Sequence, residues 1–179
     1  MTTKTKSITR ETAGISVAEF VVLFLLGALA IFLHAKLRIP LKLPGHHGVE
    51  FMMLLLIGRN ITSFRFAGSI SSLGVLAMIF LPFMGFKDPF ATLLFIIPGI
   101  SMDLFYNFAP RTKSKFWFLA IIAGISYSLI PIGRFVITLL TGFPYESLIS
   151  GVAYPFATHF IFGFIGGMAG TGIATLFRK

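Results

Sequence analysis

Hydrophobic residues fall in six long blocks, separated by short polar breaks. They run from Ile15 to Ala35, Val49 to about Phe64, about Phe66 to Phe86, Pro89 to Phe108, Phe116 to about Leu140, and Leu148 to Phe177. The blocks are continuously apolar, without the in–out alternation of a membrane barrel strand, so they predict helices. At ~1.5 Å rise per residue, roughly 20 residues cross a hydrocarbon core of ~30 Å. Every block except the second is expected to reach across. The second carries Arg59 and is short, so it is expected to tilt or to end among protein neighbours. Pro98, Pro131 and Pro155 are expected to kink or open the fourth, fifth and sixth helices.

Composition strengthens this picture. Of 179 residues, 56% are hydrophobic and 12% charged, against about 25% charged in a typical soluble domain. Mean hydropathy is +0.91. The expectation is an all-α integral membrane protein with a single domain over residues 1–179 and no second folded unit. The polar stretch 1–14 and the roughly 20-residue first block, with no small-residue cleavage site after it, read as a retained helix rather than a signal peptide. No internal repeat is visible.

The net charge of +9 marks orientation rather than nucleic-acid binding. Basic residues cluster at block ends, and no basic stripe with interleaved aromatics runs along the chain. With the N-terminus inside, Lys4, Lys6, Arg10, Arg65, Arg111, Lys113, Lys115, Arg178 and Lys179 lie inside, and Lys36, Arg38, Lys42 and Lys87 outside. That asymmetry predicts six transmembrane helices with both termini cytoplasmic, in the plasma (inner) membrane. Cysteine is absent, which excludes disulfides and thiolate chemistry. No nucleotide-binding loop or Ser-His-Asp order is present, so no cofactor is expected, and any ATP must be used by another subunit.

The polar residues then sort by depth. His34, His46, His47, Glu50, Arg134, Tyr145, Glu146 and Tyr154 are expected in the outer half, Arg59 and Asp103 towards the cytoplasmic side, and His159 near the midplane. Arg134, a charge inside an apolar helix, is the sharpest pointer to a site. Arg59 and Asp103 are expected to pair with each other as a structural ion pair. In "LPGHHGVE" the glycines permit a turn, and His46, His47 and Glu50 have a His-x-x-Glu spacing able to hold a divalent metal or simply to meet water. Small residues at Gly27, Ala28 and Ala30 allow close helix approach.

In size and layout the chain resembles the substrate-binding S components of energy-coupling factor (ECF) transporters, which take up vitamins and other micronutrients in prokaryotes. The resemblance rests on six helices and on the long proline-rich first outer loop, "HAKLRIPLKLPGHHGVEF", leading into helix two. It implies that residues 36–48 form a gating loop over an outward-facing pocket, with His46, His47 and Glu50 in the lid. It further implies that Arg134, Tyr145 and Tyr154 line the pocket, with His159 a deeper candidate. Gly27, Ala28 and Ala30 would dock on a T component, and ATPase subunits would drive transport. The expected partners are thus a small-molecule substrate, membrane lipid, a T component and ATPases, with no nucleic acid. Two alternatives stay open: a small membrane-embedded metal-dependent enzyme using His46, His47, Glu50 and His159, and an independent channel or carrier.

Overall fold

The computed structural model describes residues 14–37, 40–41, 43–108 and 116–176. These form six α-helices: α1 (Val17–Lys36), α2 (Gly48–Ile61), α3 (Ala67–Ile79), α4 (Ala91–Phe108), α5 (Phe116–Thr141) and α6 (Ala153–Leu176). Two 3-10 helices, Pro82–Met84 and Glu146–Leu148, lie in the connections, and no strand occurs among the described residues. Four helices, α1, α4, α5 and α6, are long and apolar enough to cross a membrane. The chain is a helical membrane protein. Lys4, Lys6, Arg10, Arg38, Lys42, Arg111, Lys113, Lys115, Arg178 and Lys179, used above for orientation, and residues 1–13 of the polar N-terminal stretch, lie outside the described residues.

Local chemistry sets the helix ends. In "SVAE" the Ser16 hydroxyl accepts from Glu19 N–H at 3.2 Å, and Glu19 accepts from Ser16 N–H at 3.0 Å, a reciprocal cap that starts α1. At the start of α3 no local side chain caps the helix. Asp103 of α4 does so instead, accepting from Gly68 N–H at 2.9 Å and Ser69 N–H at 2.6 Å. A carboxylate at a helix N-terminus meets both orphan donors and the positive end of the dipole.

Two expectations need correction. The third block is not one long helix: α3 stops at Ile79 after 13 residues, only about 20 Å of rise. Pro82 then supplies no backbone N–H and opens a 3-10 helix. Pro155 does not interrupt the sixth helix, because it falls in the first turn of α6, where its missing N–H would have had no partner anyway. Pro98 and Pro131 do lie inside α4 and α5, and both helices continue past them.

The helices pack in a closed order, α1–α3–α4–α5–α6–α2 and back to α1, with α2 also touching α3 and α5. That position accounts for the short second helix. α2 has protein on most sides and buries Phe51, Met52, Leu54, Leu55 and Leu56, so it need not match a bilayer thickness. Small residues permit the close contacts. A Cβ added at Gly27 of α1 would lie 1.8 Å from Ser71 O of α3, and one at Gly74 of α3 would lie 1.9 Å from Phe24 O of α1. Gly27 and Ala30 are buried inside the chain, and Ala28 is only half-buried, with its backbone N close to Gly74. Of the small residues read as a docking face, Gly27 is thus packed on α3. The outer side of α1 instead exposes Val17, Phe20, Val21, Leu25 and Leu29.

Candidate functional site

Two clusters of charged and histidine side chains lie in the interior, at opposite ends of the bundle. At one end, Arg59 near the C-terminus of α2 meets Asp103 of α4, with Nη1 3.4 Å from Oδ1. Arg59 Nη2 donates to Thr62 O at 3.2 Å and also to Phe64 O. Its guanidinium sits 4.4 Å from the Tyr106 ring centre. Asp103 further accepts from Ser69 Oγ at 2.8 Å. Both charges are buried, and Asp103 is surrounded by donors. A groove of about 300 Å³ opens here, lined by Arg65, Phe66, Ser69, Ile100, Leu104 and Phe108 among others. It is larger than the cavity at the other end. Its rim of Leu104 and Phe108 is exposed and apolar, and Asp103, its buried charge, is already paired. Size alone therefore does not make it the functional site.

The other end holds a smaller cavity of about 170 Å³. His34 from the end of α1, His46 and His47 from the turn before α2, Tyr127 and Arg134 from α5, and His159 from α6 line it, with Phe95 of α4 and Leu43–Gly45. The rings are close together: His46 and His47 centres are 4.0 Å apart, His34 and His47 5.0 Å, and His159 stacks on Tyr127 at 5.1 Å.

The turn enters the bundle because glycine lets it. Gly45 has φ +80°, in the left-handed region, and an added Cβ would lie 2.5 Å from His159 Nδ1. At Gly48 a Cβ would lie 2.4 Å from Tyr127 Cε1. The first loop therefore reaches down to His159, which the depth assignment had put well beneath it. His159 is 3% exposed and joins His46 and His47 in one cavity.

Each loop histidine is held by a partner. His46 Nδ1 is 2.6 Å from Leu43 O, and His47 Nδ1 is 2.5 Å from Glu50 Oε1. His159 Nδ1 is 2.7 Å from Pro155 O. Glu50 is buried and serves His47 rather than lining the cavity itself. Arg134 has no such complement. Its Nη1 reaches Ser147 Oγ at 3.3 Å, and its guanidinium lies 5.5 Å from the Tyr145 ring centre. Tyr145 does not line the cavity; it backs Arg134 and donates its hydroxyl to Asp88 at 3.2 Å. Burial, and then Asp88 beside it, push the Tyr145 hydroxyl up to about 12. Tyr154 is 49% exposed and stands apart from the cavity lining.

Three nitrogens at this end are buried with no hydrogen-bond partner: His34 Nδ1, His46 Nε2 and Arg134 Nε. A buried donor or acceptor left unmatched costs about 1–3 kcal/mol, so the polar groups of this cavity are incompletely satisfied by the chain. Among the described residues, no three His, Asp or Glu side chains are grouped to hold a metal ion. His34 and Tyr127 complete the lining although neither was singled out as a site residue. Tyr127, Ile130 and Arg134 share the i, i+3, i+7 face of α5, a spacing legible in the sequence once Arg134 is chosen.

No family model, curated protein or solved structure matches the chain.

Proposed function

We propose that the protein is a substrate-binding membrane subunit that captures a vitamin-like or other small micronutrient at the outer face of the plasma membrane. Uptake is then driven by separate T and ATPase subunits. In this reading the chain crosses the membrane six times with both termini cytoplasmic, and the cavity beneath the first loop faces outward. One observation carries it. A loop segment is seated, through Gly45, in the mouth of a cavity whose His34, His46 and Arg134 nitrogens lack protein partners. A loop packed over unmatched polar groups is the arrangement of a lid over a binding site. The absence of a nucleotide-binding motif in the sequence assigns ATP use to other chains.

The test is co-purification. The full chain, tagged and extracted in mild detergent from its own membranes, is expected to bring ATPase subunits with it. Recovery of the intact chain without any ATPase, together with an outward-facing reporter fused after Lys179, would falsify the transporter-subunit reading.

A further inference from the structure

The hydrogen-bond inventory of the cavity defines its guest. Arg134 has donors only. Its Nε is buried without a partner, and the ion pairs among the described residues, His47–Glu50 and Arg59–Asp103, leave it without a counter-ion. A guanidinium in this setting calls for an oxyanion, which accepts from it in charge-assisted hydrogen bonds.

The histidines offer the reverse. The carbonyls of Leu43 and Pro155 and the Glu50 carboxylate can only accept, so the Nδ1 atoms of His46, His159 and His47 must be the donors to them. A neutral imidazole has one N–H. In its neutral form each of these rings uses that N–H on the protein and keeps Nε2 as an acceptor. In His46 that atom is buried with no partner. The cavity thus carries an orphan donor on Arg134 and an orphan acceptor on His46, and a single guest satisfies both only if it is itself bipolar.

We infer that the ligand is a small molecule with an oxyanion at one end, carboxylate or phosphate, and an N–H or O–H donor at the other. The oxyanion sits against Arg134, and the donor points at His46 Nε2. This rests on the substrate-capture reading above and narrows it. The cavity is small, about 170 Å³, so it takes a small molecule such as a heteroaromatic acid, or one end of a larger one. Flat rings suit its walls, since Tyr127, Phe95 and the histidines line it. Imidazoles anchored through Nδ1 are also how metal ligands are held. The Arg134 charge in the same cavity opposes a bare cation, and the described residues present no three-ligand group.

The test uses the purified full chain in detergent and three matched probes: pyrrole-2-carboxylate, with anion and donor; furan-2-carboxylate, with anion only; and pyrrole, with donor only. Titration is followed by calorimetry or ligand-observed NMR. Pyrrole-2-carboxylate is expected to bind about tenfold more tightly than furan-2-carboxylate, the value of one buried hydrogen bond, and about ten- to a hundredfold more tightly than pyrrole, the value of a charge-assisted one. Arg134→Gln should bring it down to the level of pyrrole. His46→Phe should abolish the preference for pyrrole-2-carboxylate over furan-2-carboxylate, and His46→Gln, which keeps an acceptor, should restore part of it. Thermal unfolding checks each variant, and if His46→Phe does not fold, the comparison of probes on the unaltered protein decides alone. Inorganic phosphate competing as well as acetate assigns the oxyanion to either source and supports the proposal. Equal binding of furan-2-carboxylate overturns the acceptor role, and equal binding of pyrrole overturns the anion role. No saturable binding of any probe overturns the ligand class. So does saturable Zn²⁺ or Co²⁺ binding that His46→Phe and His47→Ala both remove. None of these measurements needs an ATPase, so their failure and that of the transport reading are separate results.

Discussion

The bundle contains two arginines set into apolar helices, and they are treated differently. Arg59 has a carboxylate at 3.4 Å, two backbone carbonyls and the face of Tyr106. Its Nε is unpartnered, yet its charge is balanced and both its terminal nitrogens are hydrogen-bonded. Arg134 has a serine hydroxyl at 3.3 Å, an aromatic ring and no carboxylate among the described ion pairs. Around Arg59 the polar atoms belong to the chain itself and tie α2, α3 and α4 together. Around Arg134 they line a cavity. A balanced buried charge holds a fold, whereas an unbalanced one beside a cavity remains available to something that arrives later.

Removing a partner at the balanced end should have the largest effect. Asp103→Asn leaves Arg59 buried without its counter-ion and weakens the cap on α3. Loss of about 3–5 kcal/mol of stability is expected in detergent unfolding, with ligand affinity of the folded fraction unchanged. Lost affinity at full stability would instead move Asp103 into the binding site and erase the contrast.

At the open end the same kind of change should act on binding. Arg134→Gln is expected to cost about 1.5–3 kcal/mol of affinity for an anionic ligand, roughly one to two decades. Its effect on melting should be small. A large drop in melting temperature with binding intact would make Arg134 a structural charge like Arg59.

Gly45 sharpens the comparison by acting on the lid alone. An alanine there must hold a left-handed φ, a cost of about 1–2 kcal/mol, and its Cβ meets the His159 ring. The loop should lift, and ligand dissociation, followed by stopped-flow, should accelerate, with little change in overall melting.

The smallest expected effect is at Tyr145, the ring behind Arg134. Tyr145→Phe loses the Asp88 bond and should cost about 1 kcal/mol or less. Because folding raises this hydroxyl from its usual value of about 10 to about 12, its contribution is fully present below pH ~10. It fades as pH rises from there towards about 12. Alkaline unfolding of the unaltered protein and the variant should converge across that window.

Much of this was legible along the chain. The "SVAE" cap starts α1 at Val17, two residues from the edge of its apolar block. The polar stretch around His46 marks the turn that forms the cavity mouth, and Arg134 points at the cavity. The end of α3 was less visible, because the residues from Phe80 to Phe86 are apolar whether they are helical or not, and hydropathy does not register the change to a 3-10 turn. Tyr127 was hidden by its type: a tyrosine in an apolar helix is ordinary until its neighbours are known.

The residues themselves determined the helical class, the number of helices, the placement of charges near helix ends and the glycines that allow a tight turn. These depend on transfer free energy, helix period and backbone freedom, all properties of short stretches. Only the tertiary structure decided which polar groups are matched. Arg59 and Asp103 lie 44 positions apart and meet because α2 and α4 end on the same side. Gly45 and His159 are far apart in sequence and meet because a left-handed turn lets the loop descend between helices. The same packing faces Gly27 and Ala30 inward, where sequence alone would equally allow them to face a partner. Whether a buried group is satisfied depends on atoms within hydrogen-bond reach of it, and in this protein those atoms come from helices distant in sequence.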